Sequence, residues 1–264
     1  MGERTVTELM SLRGKVALVT GATGHLGGAM AAALAEAGAR VIVSSRRVED
    51  ARGVAEGLPR VGDARHAAVA IDHMDEASIN EGFDAAVRAC GGVDVLVANA
   101  HEPLASDWRS VTAAEFSRQL QNATGYFLLA RRTRDDVVAR GGSGSVVLLG
   151  SMYGLVGSYP DAYAGVSAAS PVAYQALKGG LVQMARHLAV YWAKDGVRVN
   201  CLSPGPFPSG AAPAELVERL KAKCPMGRMG RPEELKAAVV FLAGDGSSFM
   251  TGQNLVIDGG WTAW

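Results

Sequence analysis

Tyr174 and Lys178 are two residues whose types and spacing indicate chemistry. They stand four positions apart in a segment of helical composition that begins near Pro171, so both side chains fall on one helix face, one turn apart. A phenol with a pKa of about 10 exchanges protons poorly at neutral pH, and a neighbouring ammonium favours its ionised form. The pair predicts a tyrosine acid/base. A half-buried tyrosine beside a lysine that extends along the surface is the alternative interpretation.

A glycine-rich segment near the N-terminus indicates a phosphate site. It reads Thr20-Gly21-Ala22-Thr23-Gly24-His25-Leu26-Gly27-Gly28, directly after an apolar run and directly before an alanine-rich segment of helical length. Glycines permit a tight turn and let the backbone approach a pyrophosphate, while the helix N-terminus offers free N–H groups. We predict a dinucleotide-binding loop here, with a glycine-rich turn that binds nothing as the alternative.

The end of the second apolar run bears on the type of dinucleotide. It reads Ser44-Ser45-Arg46-Arg47, and the next carboxylates, Glu49 and Asp50, fall at the start of the following helical segment. An NAD site usually has Asp or Glu about 20 residues beyond the glycines, whereas an arginine can donate two hydrogen bonds to the 2′-phosphate of NADP. The sequence therefore favours NADP(H), with NAD(H) as the alternative. The positive ring of a bound nicotinamide would add to the effect of Lys178 on Tyr174.

The elements that must position these residues alternate along the chain. Apolar, β-branched runs predict seven strands: Val16–Thr20, Val41–Ser44, Ala68–Ile71, Val95–Asn99, Val146–Leu149, Val197–Leu202 and Leu255–Ile257. Helical segments lie between them: Gly27–Ala37, Val48–Glu56, Glu76–Ala89, Ala113–Ala139, Pro171–Lys194 and Pro232–Ala243. Because the runs are continuous rather than alternating in polarity, we expect strands covered on both faces.

This order predicts an α/β fold. We expect a single doubly wound, Rossmann-like domain over residues 1–264, with a seven-stranded parallel sheet and helices on both faces. The segments Ser151–Ser170 and Gly205–Pro213 each follow a strand and are rich in small residues. Loops at the carboxyl ends of such strands form the binding crevice, so we interpret both as site loops. Mobile surface loops are the alternative.

Composition and charge exclude several classes of protein. The 264 residues are 48% hydrophobic and 20% charged, which is enough apolar material for a sizeable core. The 26 basic and 26 acidic residues cancel, which argues against nucleic acid or an anionic membrane as a partner. Cys90, Cys201 and Cys224 are odd in number and far apart, so we predict neither disulfides nor a metal site. The charged N-terminus has no apolar stretch, and we expect a cytoplasmic protein without a secretory signal.

In combination, the motifs resemble the short-chain dehydrogenase/reductase family over nearly the whole chain. The matching pieces, in order, are Thr20 to Gly27, Asp72, Ala98-Asn99-Ala100, Asn122, Ser151, Tyr174 with Lys178, Pro204-Gly205, Pro225 to Glu234, Thr251-Gly252 and Asp258 to Trp261. The resemblance is greatest to the bacterial branch that contains gluconate 5-dehydrogenases and 3-oxoacyl-carrier-protein reductases. Motifs of these types in this order are highly specific.

The resemblance implies a catalytic set of four residues. Tyr174 would be the general acid/base, and Ser151 would hydrogen-bond the reacting oxygen. Lys178 would bind the nicotinamide ribose and lower the pKa of Tyr174. Asn122 would hold a water that links Lys178 to solvent.

The resemblance also implies the cofactor contacts and the assembly. Asp72 would meet the adenine amino group and Asn99 would support the adenosine side. Ser209, with the backbone after Pro204-Gly205, would contact the carboxamide. The full predicted cofactor set is Gly21, Thr23, Gly24, His25, Leu26, Ser45, Arg46, Asp72, His73, Asn99, Lys178, Pro204, Gly205, Phe207 and Ser209. We further expect a homotetramer with an interface formed by the Tyr174 helix and the Ala113–Ala139 helix.

Two loops depart from the family pattern. The glycine loop has the spacing Gly-x-x-Gly-x-x-Gly, and His25 stands where the family usually has its middle glycine. The usual Asn-Asn-Ala-Gly reads Ala98-Asn99-Ala100-His101, which places an imidazole near the site. His101 is interpreted as a substrate contact or a pH-sensitive group, or else as a tolerated loop substitution.

The segment between Ser151 and Tyr174 is longer than is typical for the family. It contains Met152, Tyr153, Tyr159, Asp161 and Tyr163. Aromatic side chains with polar ends suit a hydroxylated substrate, and they also suit contact with a neighbouring subunit.

These features predict an oxidoreductase that transfers a hydride between NADP(H) and a small secondary alcohol or ketone, of polyol or sugar-acid type. A 3-oxoacyl thioester reductase is the alternative enzyme, although the balanced charge argues mildly against it, because an acidic carrier protein would prefer a basic patch near the cleft. A nucleotide-binding sensor without turnover is the alternative from another class, but a sensor would not need all four catalytic residues.

Overall fold

The computed structural model of the protein describes residues 3–210 and 212–263. Met1, Gly2, Ala211 of the predicted site loop Gly205–Pro213, and Trp264 lie outside the described residues. Parallel strands form one sheet in the order β3-β2-β1-β4-β5-β6-β7. They are β1 (Val16–Thr20), β2 (Arg40–Ser45), β3 (Ala67–Ala70), β4 (Val95–Ala98), β5 (Gly144–Leu149), β6 (Val197–Pro204) and β7 (Asn254–Ile257).

The sheet order creates a crevice beside β1. The chain moves outward from β1 through β2 to β3, then returns to place β4 on the other side of β1. Connections therefore diverge between β1 and β4, which is where doubly wound sheets bind ligands. The predicted seven-stranded parallel sheet is confirmed. The limits of the domain, residues 1–264, stay a prediction.

Helices cover both faces of the sheet. They are α1 (Val6–Leu9), α2 (His25–Glu36), α3 (Val48–Gly57), α4 (Glu76–Cys90), α5 (Ala113–Ala139), α6 (Pro160–Tyr163), α7 (Val172–Trp192), α8 (Ala214–Lys221) and α9 (Lys236–Ala243). On β1, Leu18 packs towards α4, α5 and α7, whereas Ala17 and Val19 pack towards α2, α3 and α9. All three are completely buried, which explains why these successive positions of the strand are all apolar.

The predicted elements lie close to the observed ones, with some differences at their ends. Helix α5 runs from Ala113 to Ala139 as predicted, and Thr112 and Glu115 form a capping box at its start. The predicted helix Pro232–Ala243 begins instead with a 3₁₀ turn at Pro232–Leu235, before α9. Helices α1, α6 and α8 were not predicted. Within the described ranges, no helix combines the length and hydrophobicity that a membrane span requires.

Candidate active site

A cavity of about 580 Å³ opens at the carboxyl ends of the strands. Its walls come from the loops that follow β1 to β6 and from the first turns of α7. Among the predicted catalytic and cofactor residues, all line this cavity except Asn122 and Ser209. The topology therefore brings together side chains that are up to about 180 positions apart in the sequence, because parallel strands all end at one edge.

The glycine loop has the shape that a pyrophosphate requires. Gly21 directly follows β1 and has φ +63°, in the left-handed region that favours glycine. A Cβ on Gly27 would lie 2.2 Å from the Gly21 carbonyl oxygen, so only a glycine allows α2 to approach this turn. Helix α2 starts at His25, and its N-cap, Gly24, makes no side-chain capping bond. The first N–H groups of α2 are thus left for an anion, and the loop turns despite its shifted glycine.

Asn99 and Thr20 fix this loop to β4. The Thr20 hydroxyl accepts hydrogen bonds from the backbone N–H groups of Asn99 and Ala100, at 2.9 and 3.0 Å. The Asn99 amide donates to the carbonyl oxygens of Thr20 and Gly21, at 3.0 and 3.1 Å. Because both amide hydrogens are used in the protein, Asn99 supports the loop rather than offering its amide to a ligand. The connection that the Thr20 hydroxyl makes between this loop and the end of β4 was not predicted from the sequence.

The far end of the cavity contains a free guanidinium. Ser45 and Arg46 line the cavity, and Arg46 is exposed and makes no ion pair with any described residue. Arg47 instead forms an ion pair with Asp50 at 2.7 Å, on the outside of α3. Asp50 is therefore engaged by Arg47, whereas Arg46 lines the cavity without an ion pair to any described residue. Asp72 lines the same end and accepts a hydrogen bond from the Met74 N–H at 2.9 Å.

Lys178 is buried beside Tyr174 on the first turns of α7. Its ammonium donates to the Leu149 carbonyl oxygen at the end of β5, at 2.6 Å. Nζ lies 5.6 Å from the ring centroid of Tyr174 and 5.6 Å from that of Tyr126. Burial lowers the pKa of Lys178 to about 8, because few groups compensate the lost hydration of the ammonium.

The pKa of Tyr174 is raised in the protein alone, contrary to the lowering expected from sequence. Burial is the main cause, Tyr163 adds to it, and a hydrogen bond with Ser151 acts in the opposite direction. The expectation was based on two cations, Lys178 and a nicotinamide ring. Lys178 by itself does not offset the desolvation of a phenolate in this buried position.

Ser151 is held at the end of β5 by the turn that follows it. Its hydroxyl accepts a hydrogen bond from the Tyr153 N–H at 3.1 Å and caps the 3₁₀ turn Met152–Gly154. A Cβ on Gly154 would lie 2.6 Å from the Lys178 carbonyl carbon, so this turn packs directly on α7. The contact between turn and helix fixes Ser151 relative to Tyr174.

Asn122 lies beneath the cavity rather than in its wall. Its Oδ1 accepts from the Glu102 N–H at 2.8 Å and from His73 Nε2 at 2.7 Å. Its Nδ2 donates to the carbonyl oxygens of Gln119 and Glu102, at 2.9 and 3.2 Å. Both side-chain atoms are satisfied by protein groups, so Asn122 ties two site loops to α5. Its predicted role in holding a water stays a prediction.

The approach of α5 to the loop after β3 depends on one glycine. A Cβ on Gly125 would lie 1.9 Å from the His73 carbonyl oxygen. A larger residue would push α5 away and break the bond between His73 and Asn122.

Two features of the site were not resolved by sequence reasoning. Gln119 bonds the His101 ring through Nε2 at 2.7 Å, and burial and the charge of Lys178 lower the pKa of His101 to about 3. A pKa this low favours the neutral ring at physiological pH, which argues against His101 as a pH-sensitive group; its role as a substrate contact stays a prediction. In the long segment after Ser151, the Tyr153 and Tyr163 hydroxyls bond each other at 2.6 Å.

The aromatic residues of this segment pack on the C-terminal part of the chain. Tyr153 and Tyr159 contact the edge of Trp261, with ring centroids 6.5 and 5.4 Å apart. Trp261 is buried at the centre of this cluster. Its position next to the site could not be read from local sequence, since it lies almost 90 residues beyond Tyr174.

A family model described as enoyl-(acyl carrier protein) reductase, of the short-chain dehydrogenase type, matches residues 21–262. The chain belongs to the short-chain dehydrogenase/reductase family. It is 37% identical to a cis-4-hydroxycyclohexanecarboxylate dehydrogenase of Sinomonas cyclohexanicum, over 94% of this chain and 97% of that protein. It is 35% identical to a galactitol 2-dehydrogenase (L-tagatose-forming) of Cereibacter sphaeroides, over the full length of both chains.

Solved structures of the family agree with this fold. The gluconate 5-dehydrogenase from Burkholderia cenocepacia J2315, in complex with NADP and tartrate, superposes with a TM-score of 0.86 and is 26% identical, with 98% of this chain and 100% of that chain covered. A short-chain dehydrogenase from Leptospira borgpetersenii with bound NAD⁺ superposes with a TM-score of 0.84 at 28% identity, covering 99% and 97% of the two chains.

The family and its relatives define the type of enzyme. The chain is an NAD(P)-dependent oxidoreductase of the short-chain dehydrogenase/reductase family that acts on CH–OH groups of small alcohols. The cavity fits a dinucleotide. One continuous set of walls contains the Gly21–Gly27 cradle, the free start of α2 and the buried ammonium of Lys178. In the described ranges, no cluster of three or more His, Cys, Asp or Glu side chains is arranged to hold a metal ion.

Burial of Lys178 makes folding stability depend on pH. Because its folded pKa of about 8 lies below the ordinary 10.5, the unfolded chain binds more protons between these values, and stability rises with pH there. Relative to Lys178→Met, we expect the wild-type free energy of unfolding to gain about 2 kcal/mol between pH 7 and pH 9.5. Urea titrations at both pH values would measure it.

Lys194→Met, which removes an exposed amine at the end of α7, serves as the control and should leave the pH dependence of the wild type unchanged. A constant difference between wild type and Lys178→Met across this range would contradict the buried-ammonium interpretation.

Proposed function

We propose that this chain catalyses reversible hydride transfer between NADP(H) and a small secondary alcohol or its ketone, of polyol or sugar-acid type. The observation that carries the proposal is the convergence of Tyr174, Ser151 and Lys178 on the cavity that also contains the glycine loop. The names of the relatives, which include a galactitol 2-dehydrogenase and a gluconate 5-dehydrogenase, support the substrate class.

In this proposal the protein supplies proton transfer and orientation. A bound NADP(H) supplies the hydride chemistry at the nicotinamide ring. Tyr174 donates its phenolic proton to the carbonyl oxygen in reduction, and the phenolate takes a proton from the alcohol in oxidation. Ser151 donates a hydrogen bond to the same oxygen, which stabilises the charge that develops there. Tyr174 lies on α7, and Ser151 lies just after β5 at the start of the 3₁₀ turn that packs on α7, so two fixed donors hold the reacting oxygen.

Lys178 acts through position and charge. One of its three N–H groups is used on the Leu149 carbonyl oxygen, which leaves two donors for a ribose hydroxyl. Its ammonium and the positive nicotinamide ring together favour the Tyr174 phenolate, against the burial that raises the pKa of that phenol.

We assign the cofactor as NADP(H), with NAD(H) as the alternative. Arg46 is unpaired among the described residues, borders the cavity and follows the Ser45 hydroxyl, which is the arrangement that suits a 2′-phosphate. The two family structures bind NADP in one case and NAD⁺ in the other, so the family itself permits either. We also propose one domain over residues 1–264 and a cytoplasmic location, which suits the three free thiols.

Replacement of the phenol tests the chemistry. Tyr174→Phe should lower kcat for ketone reduction at least about 1000-fold, because the only lost group is the proton donor. The measurement is the decrease of NADPH absorbance with a panel of small ketones. NADPH affinity, followed by its fluorescence, should stay within about threefold. Turnover in Tyr174→Phe at the wild-type rate would exclude Tyr174 as the acid/base. Tight NADPH binding without turnover by wild type on any ketone would favour the sensor.

The cofactor assignment has a matched pair of variants. Arg46→Ala should raise the KM for NADPH about tenfold or more while the KM for NADH changes little, because only NADPH carries the 2′-phosphate. Arg47→Ala is the control, since Arg47 is held by Asp50 outside the cavity. Steady-state kinetics with both cofactors gives the ratios. An unchanged NADPH-to-NADH ratio in Arg46→Ala would remove the basis for NADP(H).

We propose a homotetramer with an interface between copies of α5 and α7. Val190 and Tyr191 on α7 are adjacent and are 78% and 62% exposed, so this helix presents an apolar pair at its surface. Analytical ultracentrifugation should give a mass four times 27.4 kDa, and Val190→Glu should reduce it. Val6→Glu, at a position 76% exposed on α1, is the control and should leave the mass unchanged. A wild-type monomer at micromolar concentration would refute the assembly.

A further inference from the structure

A second cavity of about 540 Å³ adjoins the cofactor cavity. The residues that line both cavities, and so mark their junction, are His101, Pro103, Ser151, Tyr174, Gly205 and Phe207. The junction contains the proposed proton donor and its serine, so the second cavity is the place from which a substrate would present its reacting oxygen.

The charges of the site are confined to the cofactor side. Arg46, Asp72, Glu102 and Lys178 line the first cavity, whereas no Asp, Glu, Lys or Arg among the described residues lines the second. The walls of the second cavity are mainly Leu, Met, Pro, Ala and Tyr, with hydroxyls from serines and tyrosines. A carboxylate placed there would lose part of its hydration and gain no cation from the described residues that line the cavity, which is unfavourable. The cavity therefore suits an uncharged molecule.

His101 is the polar side chain at the junction that the proposed mechanism does not use. Its ring stands edge-on to the Tyr174 ring, with centroids 5.3 Å apart and an interplanar angle of 74°. Gln119 Nε2 lies 2.7 Å from His101 Nε2 and donates to it, because an amide nitrogen carries only hydrogens. The single proton of the neutral imidazole is thereby placed on Nδ1.

The other ring nitrogen of His101, Nδ1, belongs to a side chain that lines both cavities. It has no hydrogen-bond partner in the described part of the chain, and it is not among the buried atoms that lack one. Burial is the main cause of the lowered pKa of His101, and the charges of Lys178 and His73 add to it, whereas the charge of Glu102 opposes it. These effects favour the neutral ring. The N–H group is therefore a fixed, uncharged donor beside the reacting centre.

We propose that His101 is a specificity-determining residue that donates a hydrogen bond from Nδ1 to a second oxygen of an uncharged substrate, on the carbon next to the one that reacts. This inference rests on the proposed function. The two rings are in edge contact, with centroids 5.3 Å apart, so the oxygens that His101 and Tyr174 hold belong to nearby carbons of one molecule, and we assign the second oxygen to the adjacent carbon. The substrate class is thus an uncharged vicinal diol or the corresponding α-hydroxyketone, and the sugar-acid alternative is disfavoured.

Paired substrates that differ by one hydroxyl test this inference. The probes are cyclohexane-1,2-diol with cyclohexanol, and butane-2,3-diol with butan-2-ol, oxidised by the intact enzyme with NADP⁺ or NAD⁺. In wild type, kcat/KM should favour the diol of a pair at least about tenfold, since a binding site built around a hydroxyl rejects the analogue that lacks it. In His101→Phe, which keeps an aromatic ring against Tyr174, the preference should fall about tenfold while the mono-alcohol changes less than about threefold.

Two further variants guard against a merely structural effect. Gln119→Met removes the group that orients the imidazole, so it should also reduce the preference for the diol. His101→Asn restores an N–H donor and should retain more of the preference than His101→Phe. If His101→Phe lowers kcat/KM for both members of a pair equally, His101 serves only to position the Tyr174 ring and the inference is overturned.

The charge argument has its own probe and its own failure. The probe is 4-hydroxycyclohexanecarboxylate. Its hydroxyl should be oxidised with a kcat/KM at least about tenfold below that of cyclohexanol, because no described residue that lines the second cavity carries a positive charge. Faster oxidation of the carboxylate overturns the inference while leaving the proposed function intact. If wild type oxidises mono-alcohols and shows no preference for the matching diols, the inference is likewise overturned while the proposed function stands. Absence of turnover on every probe with both cofactors defeats the proposed function and this inference together.

Discussion

The site is organised around one buried ammonium. Lys178 stands on the first turns of α7 and is held by the Leu149 carbonyl oxygen at the end of β5, and no carboxylate among the described residues forms an ion pair with it. A charge so placed is costly in free energy, which fixes what can surround it. Its neighbours are neutral or aromatic: Tyr174 and Tyr126 lie with their rings 5.6 Å from Nζ, and His101 stays uncharged partly because of it. In the proposed function, the same ammonium supplies two free donors for a ribose hydroxyl and a positive charge that favours the Tyr174 phenolate.

The second organising feature is the row of amides on α5. Gln119 and Asn122 lie one turn apart, and each holds a histidine from a different loop: Gln119 holds His101 after β4, and Asn122 holds His73 after β3. Since α5 is also packed into the core through Tyr126 and Leu129, the loops inherit the rigidity of the sheet. A helix that is not itself in the cavity thus sets the orientation of side chains that are. Such precision is difficult to obtain from loops alone.

The sequence predicts the scaffold well because its signals are local. Continuous apolar runs indicate strands that are buried on both faces. The spacing of the glycines indicates a tight turn before a helix. The sheet and the phosphate cradle can therefore be predicted from short segments. What could not be predicted depends on contacts between distant segments. Asn122 is one example, because its hydrogen-bond partners are His73, Glu102 and Gln119. The direction of the Tyr174 pKa shift is another, because burial decides it rather than the residue four positions away. Trp261 reaches the site only through tertiary packing.

The distribution of charge separates the two tasks of the crevice. A dinucleotide carries phosphates, so its cavity contains the guanidinium of Arg46, the N–H groups at the start of α2 and the ammonium of Lys178. The adjoining cavity contains none of these, and its polar groups are hydroxyls and a neutral imidazole. Among the described residues that line the two cavities, the groups that favour phosphate or carboxylate therefore lie only on the proposed cofactor side. Recognition on the other side must come from hydrogen bonds and shape, and a neutral donor is better suited to it than a cation because it can bind a hydroxyl without attracting anions in its place.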